Sequence, residues 1–242
     1  MYNDMNFEEI IVDGSAEFGV KLDTGRQDAF KKYMELLKEW NQKMNLTAIE
    51  EDNEVAMKHF VDSLSILPFM PKNNCRIADI GTGAGFPGIP VKIVRDDVEV
   101  MLVDSLDKRI TFLKEVIATL QLTGISAVHS RAEEFGARTE YRQAFDLVTA
   151  RAVAGLPVLL EYCLPLVKVG GLFIAMKGSN IEEELKQSPK ALEILGGKLE
   201  AVKEMCLPFS DIKRNIILVR KFRQTPTKYP RKPGKPAKEP LI

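Results

Sequence analysis

The sequence predicts an α/β protein: a mostly parallel sheet with helices on both faces, preceded by a helical extension. Three observations carry that prediction. Apolar stripes at helical spacing fill residues 28–41 and 54–67, as amphipathic helices require. From residue 76 onward, short β-branched runs alternate with helical patterns, which signals parallel strands joined by crossover helices. A glycine-rich turn at Gly81, Gly83, Gly85 and Gly88 directly follows the first of those runs. Glycine lets the backbone take positive φ and approach a ligand closely.

Taken in order, the first stripe consists of Phe30, Met34, Leu37 and Trp40. The second consists of Val55, Met57, Phe60, Leu64 and Leu67, and Pro68 stops it. Residues 71–74 read as a connector. Strands are predicted at 76–80, 99–104, 126–130, 145–150, 171–176 and 215–219, with helices at 107–120, 156–167 and 181–185. Residues 198–208 would pair with the last strand as an antiparallel addition, giving a seven-stranded sheet. Beyond Arg223, prolines alternate with Lys228, Arg231, Lys232, Lys235 and Lys238, which predicts a flexible or extended basic tail outside the core. The expected division is a helical extension over 1–72, a sheet domain over 73–222 and a basic Pro-rich tail over 223–242.

Composition narrows the class. The 242 residues are 45% apolar and 28% charged, with a formal net charge of zero, ordinary values for a globular protein. A polyanion partner must therefore meet a local basic patch. Cys75, Cys163 and Cys206 form no CxxC pair and are expected to be reduced, buried thiols with no metal. No apolar run reaches the roughly 20 residues of a membrane span, and the acidic N-terminus lacks a signal-peptide pattern. A cytoplasmic protein with no membrane partner is expected.

Two registers compete at the glycine turn. Read from Gly83, it matches Gly-x-Gly-x-x-Gly, and Asp104 follows about twenty residues later, the fingerprint of a dinucleotide site. However, Gly83 does not leave the strand directly, and Pro87 has no N–H to offer a pyrophosphate. Read from Asp79, the pattern is Asp79-x-Gly81-x-Gly83-x-Gly85, with Asp104 ending the second strand. This resembles the first motif and the following acidic motif of class I S-adenosylmethionine-dependent methyltransferases. There the first carboxylate lies near the ligand's amino-acid end, and the second accepts hydrogen bonds from ribose hydroxyls.

Neighbouring strand ends supply further candidates. The backbone at Ala132 and the Glu133 side chain fall where an adenine ring would lie, although Glu133 and Glu134 also suit a solvated helix start. Arg151 and Lys177 follow strands four and five. A cation there is costly to desolvate unless it meets an anion, such as the cofactor carboxylate or an RNA phosphate. The alternative is a structural ion pair with Asp79 or Asp104.

Several segments then coincide: Trp40-Asn41, Asn45-Leu46-Thr47, His59-Phe60-Val61-Asp62-Ser63, and the run from Gly81 to Pro90, Gly-Thr-Gly-Ala-Gly-Phe-Pro-Gly-Ile-Pro. Asp104-Ser105-Leu106 with Lys108-Arg109, Arg131-Ala132-Glu133, Arg151-Ala152 and Lys177-Gly178 follow. Together they closely resemble the bacterial small-subunit rRNA methyltransferase G family, once called glucose-inhibited division protein B. The resemblance spans residues 25 to 222, with Met176 departing from the family's leucine. It implies a class I, Rossmann-like enzyme that methylates N7 of one guanosine in the decoding-region loop of 16S rRNA, using S-adenosylmethionine. Carried over by motif, cofactor contacts would come from Gly81, Phe86, Ala132, Glu133 and Arg151. The fold's logic adds Asp79, Gly83 and Asp104. A monomer acting on 16S rRNA is the expected form.

Guanine N7 has an in-plane lone pair and no proton, so no catalytic acid or base is expected. Arg151 and Lys177 are positioning candidates. Phe86, Arg151 and Trp40 could stack against an extruded base, while His59 reads as structural or as a phosphate contact. Lys108, Arg109, Arg138, Arg142 and the tail would supply charge for RNA. Deleting the tail is then expected to weaken RNA affinity and leave cofactor affinity intact. A nicotinamide-dependent oxidoreductase and a regulatory cofactor-binding module remain the competing classes.

Overall fold

The computed structural model describes residues 2–242, the Asn3 side chain excepted. Helices α1 (Phe7–Ala16) and α2 (Thr24–Asn41) open the chain. Asn6 and Glu9 form a reciprocal capping box on α1, and Asp23 caps α2 by accepting the Arg26 N–H at 2.8 Å. The expected helix over 54–67 is present but interrupted. Short α3 (Asp52–Val55) passes into a π-helical stretch (Ala56–Val61) and then into α4 (Asp62–Leu64). Such widened turns recur at functional sites because they re-aim side chains.

The sheet contains β1 (Arg76–Ile80), β2 (Glu99–Asp104), β3 (Ile125–His129), β4 (Phe145–Arg151), β5 (Val167–Lys177), β6 (Gly197–Cys206) and β7 (Lys213–Lys221). Its order is β3-β2-β1-β4-β5-β7-β6. The pairs β1–β2, β2–β3, β1–β4 and β4–β5 are parallel, whereas β7 runs antiparallel to both β5 and β6. The crossovers carry α5 (Gly88–Val94), α6 (Asp107–Thr119), α7 (Ala132–Ala137) and α8 (Leu156–Cys163). The helix expected over 156–167 stops early because Val167 already begins β5. Past β5, α9 (Glu182–Gln187) is joined by α10 (Pro189–Leu195), which the sequence reading had not resolved.

Strand alternation divides the apolar core between the two sheet faces. Ile77, Leu102, Leu147 and Ile174 pack with α1, α2, the 52–64 helices, α5 and α6. Ala78, Val103, Val148 and Phe173 pack on the other face with Leu159, Leu195 and Tyr229. The same alternation puts Asp79, Asp104 and Arg151 on the first face, toward the N-terminal helices. Chain order reverses between β1 and β4, which marks the carboxyl edge of that crevice as the ligand position.

The C-terminal residues are not an extended tail. Thr225 and Tyr229 are buried, and the segment ends in the short helix α11 (Lys235–Lys238). Single anchors outweigh its proline-rich composition. Arg142 donates to the carbonyls of Tyr229 at 2.6 Å and Thr225 at 2.7 Å. Arg142 is thereby committed to the fold, in contrast to its expected role as an RNA contact. Cys75 and Cys163 are buried as expected, but Cys206 is exposed. Among the described residues, no helix is long and apolar enough to cross a membrane.

Candidate active site

The glycine turn between β1 and α5 is built around two carboxylates. Asp79 Oδ2 accepts the Thr82 hydroxyl at 2.6 Å and the Gly88 N–H at 2.9 Å. Its Oδ1 has no hydrogen-bond partner, and the residue is fully buried. Burial pushes its carboxyl up to about 6, against the Thr82 and Gly88 hydrogen bonds that favour the ionised form. Asp79 therefore lies behind the turn and lines neither of the two clefts that meet there. Through these two hydrogen bonds it braces the loop. Gly88 must lack a side chain for this, since a Cβ there would meet Asp79 Oδ2 at 2.9 Å and Leu102 Cδ2 at 2.3 Å.

Asp104 supports the turn from β2. Its Oδ2 accepts the Gly83 N–H at 2.9 Å and Arg109 Nη1 at 3.3 Å, and its Oδ1 accepts the Leu106 N–H at 3.0 Å. A carboxylate has about four acceptor positions, so one remains for a ligand hydroxyl, and two if Arg109 swings away. Gly83 takes φ +62° with nothing within 4 Å of a built Cβ, so its open side faces ligand space.

Two clefts meet at this turn, and both are lined by Gly81, Arg109 and Ala152. The first, of about 510 Å³, includes Asp104, Ser130, Ala132, Glu133 and Tyr162. Burial, together with the nearby Glu133 carboxylate, pushes the Tyr162 phenol up to about 12. Glu133 is itself buried and accepts the Gly234 N–H at 2.8 Å. The second cleft, of about 440 Å³, includes Gly83 and Phe86. It carries Lys58, Arg109, Arg151, Lys177 and Arg214 against the single carboxylate of Asp62.

In the second cleft β4 meets the N-terminal helices. Arg151 donates to the Lys58 carbonyl at 3.0 Å and to Asp62 Oδ2 at 3.1 Å, and stands 3.2 Å from His59 Nδ1. Arg214 donates to the other Asp62 oxygen at 3.0 Å. Phe86 stacks on His59 with ring centroids 4.6 Å apart and planes at 15°, and Arg151 lies over the same ring at 5.1 Å. Because guanidinium only donates, His59 Nδ1 must accept. Its Nε2 then carries the proton, directed at Thr47 Oγ1 2.7 Å away. Burial and the Arg151 charge lower the imidazole to about 3, so the ring is neutral at neutral pH.

Neither expected cation pairs with Asp79 or Asp104. Arg151 pairs with Asp62. Lys177 lines the second cleft but is tied to Glu184 at 2.7 Å and to the Ala154 carbonyl at 2.6 Å, which makes it part of the cleft's frame. Trp40 lies in the core against Phe112 and lines neither cleft, so it offers no stacking platform there. Sequence reasoning assigned no site role to Thr47, Asp62 or Arg214. Thr47 and Asp62 stood within segments of the family resemblance, but no spacing rule connects them to Arg151.

The chain matches the family model described as rRNA small subunit methyltransferase G over residues 26–217. It is 60% identical over 238 residues to a ribosomal RNA small subunit methyltransferase G of Acetivibrio thermocellus, with 98% of each chain covered. A protein of the same name from Alkaliphilus metalliredigens is 49% identical over 98% of this chain and 100% of its own length. Among solved structures, an Aquifex aeolicus SAM-dependent methyltransferase aligns with a TM-score of 0.53 and 16% identity, covering 75% of this chain and 97% of that one. M. jannaschii TYW2, solved in complex with AdoMet, aligns with a TM-score of 0.50 and 17% identity, over 64% and 72%. At such identities these two structures speak for a shared fold alone.

Proposed function

Because the chain belongs to the rRNA small subunit methyltransferase G family, we propose that it methylates N7 of one guanosine in the decoding-region loop of 16S rRNA. S-adenosylmethionine supplies the electrophilic methyl group. One observation supports this reading most: a polar cleft and a cationic, aromatic cleft meet at Gly81, beside the glycine turn. The first suits an adenosine, the second a polyanion presenting a flat base.

The residues present fit the cofactor. The free acceptor position on Asp104, in the first cleft, would take a ribose hydroxyl, with the open side of Gly83 leaving room at the border of the second and Asp79 holding the turn from behind. Ala132 and Glu133 border the adenine end. Gly81, Phe86 and Arg151 would border the amino-acid end, where the Arg151 guanidinium would offer a donor to a carboxylate.

N7 carries no proton, so the chain needs no general base, and the neutral, fully hydrogen-bonded His59 agrees with that. The task left to the protein is positioning and exclusion of water. Arg151, backed by the buried Phe86 ring, presents a planar cation to a base, and Lys58 and Arg214 present charge to phosphates.

The test is to map N7-methylguanosine in 16S rRNA from cells with and without the gene, alongside calorimetry with S-adenosylmethionine and with NAD. Loss of one N7-methylguanosine in the decoding region, together with S-adenosylmethionine binding, is the expected result. Tight NAD binding without S-adenosylmethionine binding overturns the reading.

A further inference from the structure

The C-terminal residues were expected to form a flexible or extended basic tail supplying charge for RNA, yet their anchors lead to the cofactor cleft. Gly234 and Ala237 line the same cleft as Asp104 and Glu133, and the Gly234 N–H donates to Glu133 Oε1 at 2.8 Å. The segment is fastened on both sides of that contact. Glu161 on α8, 1% exposed, receives Arg231 Nη2 at 2.6 Å, Nε at 2.9 Å and the Arg231 backbone N–H at 2.8 Å. Arg231 Nη2 also donates to the Glu239 carbonyl at 2.8 Å, closing the segment onto itself. Upstream, Arg142 holds the carbonyls of Thr225, Pro226 and Tyr229. Pro230 sits so close to α7 that a Cβ on Gly136 would stand 3.1 Å from it.

Ordering a segment of this length costs conformational entropy at every residue, and a buried ion pair is weak evidence of net stabilisation. What the anchors achieve together is the position of Gly234 against Glu133. We propose that residues 229–237 form the outer wall of the adenosine end of the cofactor cleft, and that cofactor affinity depends on their being docked. Gly234 then fixes one Glu133 oxygen, and the other, beside the Tyr162 phenol, keeps a lone pair for the ligand. Arg231 and Glu161 act as positioning residues that never touch the ligand. The proposal rests on the cofactor reading above.

Amide hydrogen exchange on the full chain, with and without S-adenosylhomocysteine, separates the two claims. Slower exchange in both the 81–88 turn and residues 229–239 is expected on ligand addition. Protection of the turn without protection of 229–239 overturns the wall and leaves the cofactor reading standing. Protection of neither removes the cofactor reading and the wall with it. As an independent arm, Glu161→Gln combined with Arg231→Gln removes the ion pair and its charge-assisted hydrogen bonds without leaving a buried charge unpaired. S-adenosylhomocysteine affinity measured by calorimetry should fall about tenfold, the scale of one charge-assisted contact, with rRNA affinity and its salt slope unchanged. A loss of rRNA affinity at unchanged S-adenosylhomocysteine affinity overturns the proposal.

Discussion

The Asp62 carboxylate accepts Arg151 Nη1 at 3.1 Å on one oxygen and Arg214 Nε at 3.0 Å on the other. One buried acid in the N-terminal helices thus holds a cation from β4 and a cation from β7. This is the means by which helices that precede the sheet in sequence become part of the cleft wall. Asp62 is 2% exposed, and both of its partners line the second cleft, so its service is to aim two guanidinium groups.

Asp62→Ala should therefore cost both stability and turnover. Removing one member of a buried charged cluster leaves the others uncompensated, at about 3 kcal/mol. Arg151, released from Asp62, would also leave its position over Phe86. Urea unfolding should show the lowered midpoint, and rRNA methylation assays a kcat/KM reduced at least about tenfold. Wild-type kcat/KM in a destabilised variant would show that Arg151 needs no aiming.

His59 should stay neutral wherever the enzyme works. Its folded value of about 3 lies below the ordinary 6.5. Above pH 6.5 both folded and unfolded chains hold it neutral, and it contributes nothing to pH dependence. Between 6.5 and 3 the unfolded chain binds the proton and the folded one does not, so stability falls as pH falls, by up to about 1.4 kcal/mol per pH unit. The His59 imidazole resonances should not titrate between pH 5 and 8 in NMR. A midpoint near 6.5 would mean that the Arg151 contact is broken in solution.

The sheet was legible because strand and helix periodicity are local, and the glycine turn because its spacing and its carboxylates lie within one βαβ unit. The Arg151–Asp62 and Arg214–Asp62 pairs join residues 89 and 152 positions apart, and such separations leave no local pattern. The last strands were read correctly as an antiparallel addition, since the short, β-branched apolar run at 215–219 reads as a buried strand on its own. The C-terminal segment was misread for a different reason. Its composition fits an extended chain, and the anchors that override it, Arg142, Glu161 and Glu133, sit far upstream among residues that look like surface charges.

Two glycines of the turn should respond to alanine in different ways. At Gly88 the new Cβ meets Leu102 and Asp79 side chains deep in the core, an overpacking cost of about 1–3 kcal/mol. At Gly83 the Cβ meets no atom within 4 Å, so only the left-handed backbone costs, about 1–2 kcal/mol. The methyl group would nevertheless stand in ligand space. Gly83→Ala should weaken S-adenosylmethionine about tenfold or more with a modest shift in melting temperature. If calorimetry finds cofactor affinity unchanged in Gly83→Ala, the open side of that glycine is not where the ligand lies.

Lys221 tests the docking of the C-terminal segment through stability alone. Its ammonium is fully buried and reaches the Leu164 carbonyl and the Thr225 hydroxyl, where the segment leaves the sheet. Burial first, then the Arg142 charge, lowers it from 10.5 to about 7. Below pH 7 both states carry the proton and the folded chain bears the whole cost of the buried charge. Between 7 and 10.5 the folded chain loses the proton and the unfolded chain keeps it, so the cost fades as pH rises. Lys221→Met has no such group. Wild-type stability measured relative to this variant should therefore increase from pH 7 to 10, by up to about 1.4 kcal/mol per unit. Urea unfolding of both proteins at pH 6, 8 and 9.5 gives the difference directly. A difference independent of pH would mean that the amine is solvated, and with it the start of the docked segment.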